Sequence, residues 1–281
     1  MELEEKTVLV TGAAGTVGST VATRLVREGA KVRAMARNAG LHLAGAETVV
    51  ADLNDHEALT DALKGAHVVV HCAASLSDDL DACTKGNVDA TRNLLSAMHE
   101  HQVAMLVHIS TVSVYDKSRG PVFEEGTALC TDSKDAYAFT KAKAEGLVRA
   151  SGLKHVILRP PAVLSTHPGS YWGPKAVKRA KESDYPVWPF KKLNYVHVDN
   201  LAEAVVLSIT TEKAWGRVYN VVDDEVDSSP YLARIYQLAG KPAPTPKSND
   251  TRSFPSGAIR SAMKWKPREE LFQSFLDQLK A

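Results

Sequence analysis

The feature that most constrains this chain is a short one. Thr7-Val8-Leu9-Val10-Thr11 runs straight into Gly12-Ala13-Ala14-Gly15-Thr16-Val17-Gly18, and a helix-like pattern follows. An apolar strand that ends in three glycines, each three positions from the next, leaves few architectures open. Gly12 permits a tight turn, Gly15 lets the backbone approach a pyrophosphate, and Gly18 lets the helix pack on the strand. The helix start then offers free N–H groups and a partial positive charge to phosphates. Glycines in such turns also serve purely structural ends, so position decides. This triplet stands at the first strand–helix junction, where a dinucleotide-binding unit requires it. Gly12, Ala14, Gly15, Thr16, Val17 and Gly18 are therefore the candidate phosphate cradle.

The next 150 residues repeat the same alternation. Strand-like runs occur at Thr7–Thr11, Val32–Ala36, Thr48–Ala51, His67–Cys72, Ala104–Ile109 and His155–Leu158. They are apolar without clean alternation, as expected of parallel strands covered on both faces. Between them lie helices with readable ends. Asn54-Asp55-His56-Glu57 reads as a capping box, with Gly65 closing that helix. Asp132 or Ser133 is expected to cap a helix from Lys134 to about Ala150, which Gly152 ends. The expected fold class is α/β, a doubly wound parallel sheet. After Arg159-Pro160-Pro161 the texture changes to loops around one basic helix, Lys175–Lys181, before strand and helix return at Leu193–Val198, Asn200–Thr210 and Val218–Val222. A helix near Tyr231–Ala239 precedes the proline-rich Lys241–Pro246. Two lobes are expected: a nucleotide-binding domain of residues 1–160 plus 193–222, and a small mixed substrate lobe of 161–192 plus 223–281.

Composition narrows the function classes. At 281 residues the chain can bury roughly three quarters of its unfolded surface, so it needs no disulfide or metal staple. Lys plus Arg is 34 against 33 Asp plus Glu. That balance gives no general attraction to nucleic acid or to an anionic membrane. Cys72, Cys83 and Cys130 are odd in number, widely spaced and without a CxxC pair, against a zinc ribbon or a secreted disulfide framework. Neither a leader peptide nor a membrane span is legible. A soluble cytoplasmic protein acting on a small molecule is expected, without nucleic acid, membrane or metal.

The G-x-x-G-x-x-G spacing resembles the short-chain dehydrogenase/reductase superfamily, and further stretches carry the resemblance along most of the chain. Asp52-Leu53 looks like the family's adenine contact. His71-Cys72-Ala73-Ala74-Ser75 looks like the stretch beside the nicotinamide ribose. Asn87 to Leu95 is similar to the family's helix motif, with Ala90 where glycine is usual. Tyr195-Val196-His197-Val198-Asp199-Asn200 resembles the extended branch, which holds nucleotide-sugar epimerases and dihydroflavonol reductases. The resemblance implies a Rossmann-type fold and cofactor contacts at Asp52, Leu53, Cys72, Ala73, Ala74, Pro160, Ala162 and Val163. Members of this family often pair through two helices of the larger lobe, which makes a homodimer one implied arrangement.

Tyr137-Ala138-Phe139-Thr140-Lys141 sets a phenol and an ammonium on one helical face. A free phenol titrates near 10, and a neighbouring ammonium is expected to depress that value. Upstream, Ser110-Thr111-Val112-Ser113-Val114-Tyr115 resembles the family segment that supplies a third hydroxyl. That match gives Thr111 the role, with Ser110 the nearest substitute. Sugar-nucleotide dehydratases of this branch carry an acidic pair directly after that Thr; Val112 and Ser113 stand here and argue against elimination chemistry. Tyr137 and Lys141 are implied to contact cofactor as well as substrate.

The cofactor's identity is read from charge. NAD-preferring relatives carry a carboxylate at the end of the second strand to bind the ribose hydroxyls. Ala36 stands there, and the Arg37 guanidinium that follows suits a 2′-phosphate, with Arg33 a second candidate. NADP is expected over NAD. The expected activity is carbonyl–alcohol interconversion by hydride transfer; the alternatives are a nucleotide-sugar epimerase with tightly bound cofactor and a redox-sensing regulator. The basic group Lys175, Lys178, Arg179, Lys181, Lys191 and Lys192 reads as a solvated face or an anion-attracting one. Tyr171, Trp172, Tyr185 and Trp188 read equally as packing or as pocket lining.

Overall fold

The computed structural model describes residues 2–183, 190–246 and 251–280. Tyr185 and Trp188 lie outside the described residues. In chain order the elements are β1 Thr7–Thr11, α1 Thr16–Arg27, β2 Lys31–Ala36, β3 Ala46–Val50, α2 His56–Leu63, β4 Val68–His71, α3 Leu80–Cys83, α4 Ala90–Glu100 and β5 Met105–Ile109. Then come α5 Ala136–Ala150, β6 Lys154–Arg159, β7 Ala162–Leu164, α6 Pro174–Glu182, β8 Lys192–His197, α7 Val198–Thr210, β9 Arg217–Asn220, β10 Asp224–Asp227, α8 Ser229–Ala239, α9 Gly257–Met263 and α10 Leu271–Gln278.

Seven strands form one parallel sheet in the order β3-β2-β1-β4-β5-β6-β9. The order reverses between β1 and β4, and the crevice at such a switch point is where open α/β sheets bind ligands. The strands' continuous apolar character has a direct cause. Val8, Val10, Val68, Val70, Val107 and Leu158 pack into one core with α1 and α7. Leu9, Val69, Leu106 and Ile157, the residues between them, pack into a second core with α2 and α4. Each side chain that is fully buried in this way contributes about 1.5–3 kcal/mol.

A smaller sheet runs β10-β8-β7, with β10 antiparallel and β7 parallel to β8. Its core joins Leu164, Leu193 and Tyr195 to Val177, Tyr231, Ile235 and Phe275 from α6, α8 and α10. β8 therefore pairs in the small sheet, although residues 193–222 read from sequence as part of the nucleotide lobe. Conversely Ile259, Met263 and Trp265, read with the small lobe, lie in the larger lobe's core.

Two helix starts differ from the sequence expectation. The α2 cap is Asp55, whose side chain accepts from Ala58 N, so Glu57 falls at the second helical position and no capping box closes. The α5 cap is Asp135, accepting from Ala138 N at 3.2 Å, rather than Asp132 or Ser133. Asp132 instead accepts from Lys134 N in a turn that holds the chain out of the helix for two further residues. Tyr137 thereby falls in the first turn of α5.

Candidate active site

The glycine turn is shaped by collisions that any Cβ would cause. Gly12 has φ +67°, and a Cβ there would stand 2.8 Å from Ala73 N. At Gly18 a Cβ would run into the Gly12 carbonyl, so strand end and helix start could not come this close with any other residue. Gly15 is the N-cap of α1, and no side chain caps the helix. Its first N–H groups are left to a ligand.

A cleft of roughly 860 Å³ opens over this turn. Gly12, Gly15, Thr16, Val17, Gly18, Arg37, Cys72 and Ala74 line it at one side, and Thr111, Tyr137, Pro160, Ala162 and Val163 line it further along. Ala14 borders a separate groove beside α1 and α7. Asp52, Leu53, Ala73 and Lys141 are not among the residues lining the cleft. Asp52 is turned to Asn54, accepting from its N–H at 2.8 Å and from Nδ2 at 3.1 Å. Leu53 is buried in the core under α2 and α4, and Ala73 N donates to Thr11 Oγ1 at 3.3 Å.

The two candidate hydroxyls line one cleft, near enough that the Thr111 side chain favours the charged form of the Tyr137 phenol. Thr111 Oγ1 also accepts from Ser113 N at 3.1 Å, which fixes its rotamer at the end of the β5 loop. Burial pushes the Tyr137 phenol up to about 12, against the opposing pull of Thr111, with Cys83 adding to the rise. Lys141 is not among the groups that act on it. The expectation that Lys141 depresses the phenol is therefore corrected, for a visible reason. Lys141 is 2% exposed, and its ammonium is drawn to the Ile109 carbonyl at 2.7 Å and to His108 Nε2 at 3.4 Å. Burial brings this ammonium down to about 8, with Glu145 and Cys72 opposing.

Behind the hydroxyl pair lies a buried polar layer that the sequence reading did not anticipate. Ser110 Oγ donates to Glu145 Oε1 at 2.6 Å, so Ser110 is committed and does not substitute for Thr111. Glu145 also takes Arg159 Nε at 2.9 Å and Arg159 Nη2 at 2.6 Å. Arg159 covers the Tyr115 ring at 4.7 Å, and the Tyr115 hydroxyl donates to Asn220 Oδ1 at 2.7 Å. One signal could have found Glu145: it follows Tyr137 and Lys141 at the same four-residue step, on the same helix face. Asn87 carries a second set of bonds. Its Oδ1 accepts from Ser75 N at 2.7 Å, and its Nδ2 donates to Ser75 O and Thr140 Oγ1. The cleft-lining stretch after β4 is thus fastened to α5. His71, between Thr11 Oγ1 at 2.8 Å and Thr91 Oγ1 at 3.1 Å, is brought down to about 3 by burial and stays neutral.

The two arginines separate. Arg33 donates to Glu47 at 3.2 Å, to Ala62 O at 3.1 Å and to Lys64 O, and is engaged away from the cleft. Arg37 is exposed, lines the cleft and has no side-chain partner among the described residues. Ala36, beside it, is 6% exposed and brings no charge. Among the described residues no group of three or more His, Cys, Asp or Glu could hold a metal, and no helix is long and apolar enough to cross a membrane.

Comparison with known proteins adds to this geometry. The model of the NAD dependent epimerase/dehydratase family matches residues 8–221. A 2-alkyl-3-oxoalkanoate reductase of Shewanella oneidensis is 28% identical over 273 residues, which span 89% of this chain and 70% of that protein. A dihydroflavonol 4-reductase of Callistephus chinensis is 30% identical over 83% of this chain and 71% of its own length. Among solved structures, MoeE5 in complex with UDP-glucuronic acid and NAD superposes with a TM-score of 0.79 over 96% of each chain. At 22% identity, that last likeness is one of fold.

Proposed function

Since the chain belongs to the NAD dependent epimerase/dehydratase family of extended short-chain dehydrogenases/reductases, we propose that it is an NADP(H)-dependent oxidoreductase that interconverts a carbonyl and an alcohol. The residues present fit such a cofactor. The glycine turn has no room for a Cβ at Gly12 or Gly18, the α1 N-terminus is uncapped, and Arg37 offers an unpaired guanidinium where a 2′-phosphate would lie. When bound, the nicotinamide gives or takes the hydride.

The chain's own residues supply the rest. Thr111 orients the substrate oxygen. Tyr137, held as a phenol at neutral pH, donates the proton that a carbonyl oxygen needs as it becomes an alcohol. Lys141 keeps a positive charge beneath the site and reaches the ribose when its hold on the Ile109 carbonyl is exchanged. The observation that carries this reading is the Tyr137–Thr111 hydroxyl pair in the same cleft as the glycine turn and Arg37. The named relatives that align over most of the chain are reductases, which agrees with it.

Following NADPH and NADH absorbance with a panel of ketones and aldehydes tests the reading. Stoichiometric loss of NADPH with alcohol formation supports it. An epimerase regenerates its cofactor at each turnover and would show no net loss.

A further inference from the structure

The Lys141 ammonium is buried, and a buried charge needs acceptors in place of water. Among the described residues two acceptors serve it, both on β5: the Ile109 carbonyl at 2.7 Å and His108 Nε2 at 3.4 Å. An ammonium only donates, so Nε2 accepts and the ring proton sits on Nδ1. Nδ1 is buried and has no partner among the described residues. A buried donor left unpaired is costly, and an apolar side chain at this position would leave none. A histidine kept there gives up stability, and Nε2 is its one ring nitrogen with a polar partner. Its neighbour His71, 5.3 Å away between ring centres, has both nitrogens bonded, to Thr11 and to Thr91.

We infer that His108 is a positioning residue for Lys141: its neutral imidazole accepts from the ammonium and keeps it charged beneath the cleft, ready for the cofactor's ribose. The inference rests on the oxidoreductase reading, in which Lys141 reaches that ribose. When the hold on the Ile109 carbonyl is exchanged for a ribose hydroxyl, the imidazole is the acceptor that stays. His108 can fill this role because it takes up no proton of its own. Burial holds it well below the usual imidazole range, and Lys141, His71 and His155 lower it further. The other titratable groups around Lys141 are Cys72 after β4, Tyr137 and Glu145 one turn before and after it on α5, and Cys83 of α3 beside Tyr137. Glu145 is taken by the Arg159 guanidinium, and Cys72, pushed up to about 12 by burial, is an uncharged thiol. The side-chain lone pair that meets the ammonium is therefore that of His108.

The test is the NADPH dissociation constant, titrated by fluorescence from about pH 6 to about pH 10. In wild type, affinity should be full while Lys141 is charged and fall as pH rises through about 8. Lys141→Met should remove that fall. His108→Leu, or His108→Phe where leucine prevents folding, should move the fall down by about one pH unit, equivalent to roughly 10-fold from one bond to a charged group. At the acid end, where the ammonium is charged in either case, the same variant should bind NADPH within a few-fold of wild type. His108→Gln, which keeps an acceptor near the place of Nε2, should hold the fall at its wild-type position. A fall that the apolar variants do not move, or that persists in Lys141→Met, overturns the inference alone, as does wild-type affinity that is independent of pH. Equal displacement in the Gln and apolar variants, loss of affinity at every pH alike, or failure of both apolar variants to fold gives His108 a structural role and overturns it too. No NADPH binding by wild type at any pH refutes the oxidoreductase reading, and the inference falls with it.

Discussion

Replacing Glu145 with Gln should destabilise the protein far more than its neutral, isosteric character suggests. Glu145 and Arg159 are both 0% exposed, and the carboxylate receives both prongs of the guanidinium and the Ser110 hydroxyl. Arg149 adds a bond at 3.2 Å, but its side chain is 45% exposed and contributes little. With Gln in place, the Arg159 charge loses its carboxylate partner and keeps the Glu125 carbonyl at 3.1 Å, the face of Tyr115 and one neutral amide oxygen. Breaking one side of a buried pair costs about 3–5 kcal/mol. The Gln oxygen still accepts one bond, which sets the expectation near 3 kcal/mol. At about 2 °C per kcal/mol for a chain of this length, Tm should fall by roughly 6 °C. The penalty should also depend on pH. Its partners hold the Glu145 carboxyl below the usual carboxylate range. A depressed folded-state value contributes stability that is full above the unfolded value of about 4.3 and is lost as pH falls through the folded one. The difference between wild type and Glu145→Gln should therefore be complete at neutral pH and shrink in acid. Equilibrium urea unfolding at several pH values measures it. A loss below about 1 kcal/mol at neutral pH, or one independent of pH, would refute the argument. Glu145→Met combined with Arg159→Leu should recover much of the loss, since no charge is then left buried.

Tyr137→Phe should leave NADPH affinity unchanged and remove most turnover, because only the transferable proton is lost; rates within a few-fold of wild type would sink the assignment. Arg37→Ala should weaken NADPH binding by about 10-fold, the low end for a bond to a charged group, and leave NADH unaffected. Arg33→Ala serves as its contrast: engaged by Glu47 and two carbonyls, Arg33 should alter stability and not cofactor choice. Gly18→Ala should abolish dinucleotide binding in calorimetric titration, since its methyl group would enter the Gly12 carbonyl.

The parts legible in the sequence are those whose partners lie close along the chain. Gly12, Gly15 and Gly18 carry their own geometry, and the four-residue step from Tyr137 to Lys141 carries the helical face. The parts not legible depend on which of several nearby partners wins. Lys141 has the right spacing to act on Tyr137, yet the Ile109 carbonyl holds its ammonium. Arg33 has the right strand for a phosphate, yet the end of α2 offers two carbonyls. Asp52 is turned into a local bond with Asn54 instead of lining the cleft. Asn194 and Arg252, 58 residues apart, meet only because β8 joins the small sheet and the chain returns past it. No local pattern announces such a pair.

Trp265 has a consequence for how the protein is made. It is 1% exposed, in one core with Val8 and Val10, and its indole donates to the Asn200 carbonyl at 3.0 Å. β1 thus shares its packing with a residue some 250 positions later in the chain. Although β1 to β6 span the glycine turn and both hydroxyls, the layer beneath them stays open on one side until the stretch around Trp265 emerges. At about 5–20 residues per second the nascent chain spends roughly 12–50 s with that apolar face uncovered. Over that interval the uncovered face is open to contact with other apolar surfaces, which is the condition under which nascent chains aggregate.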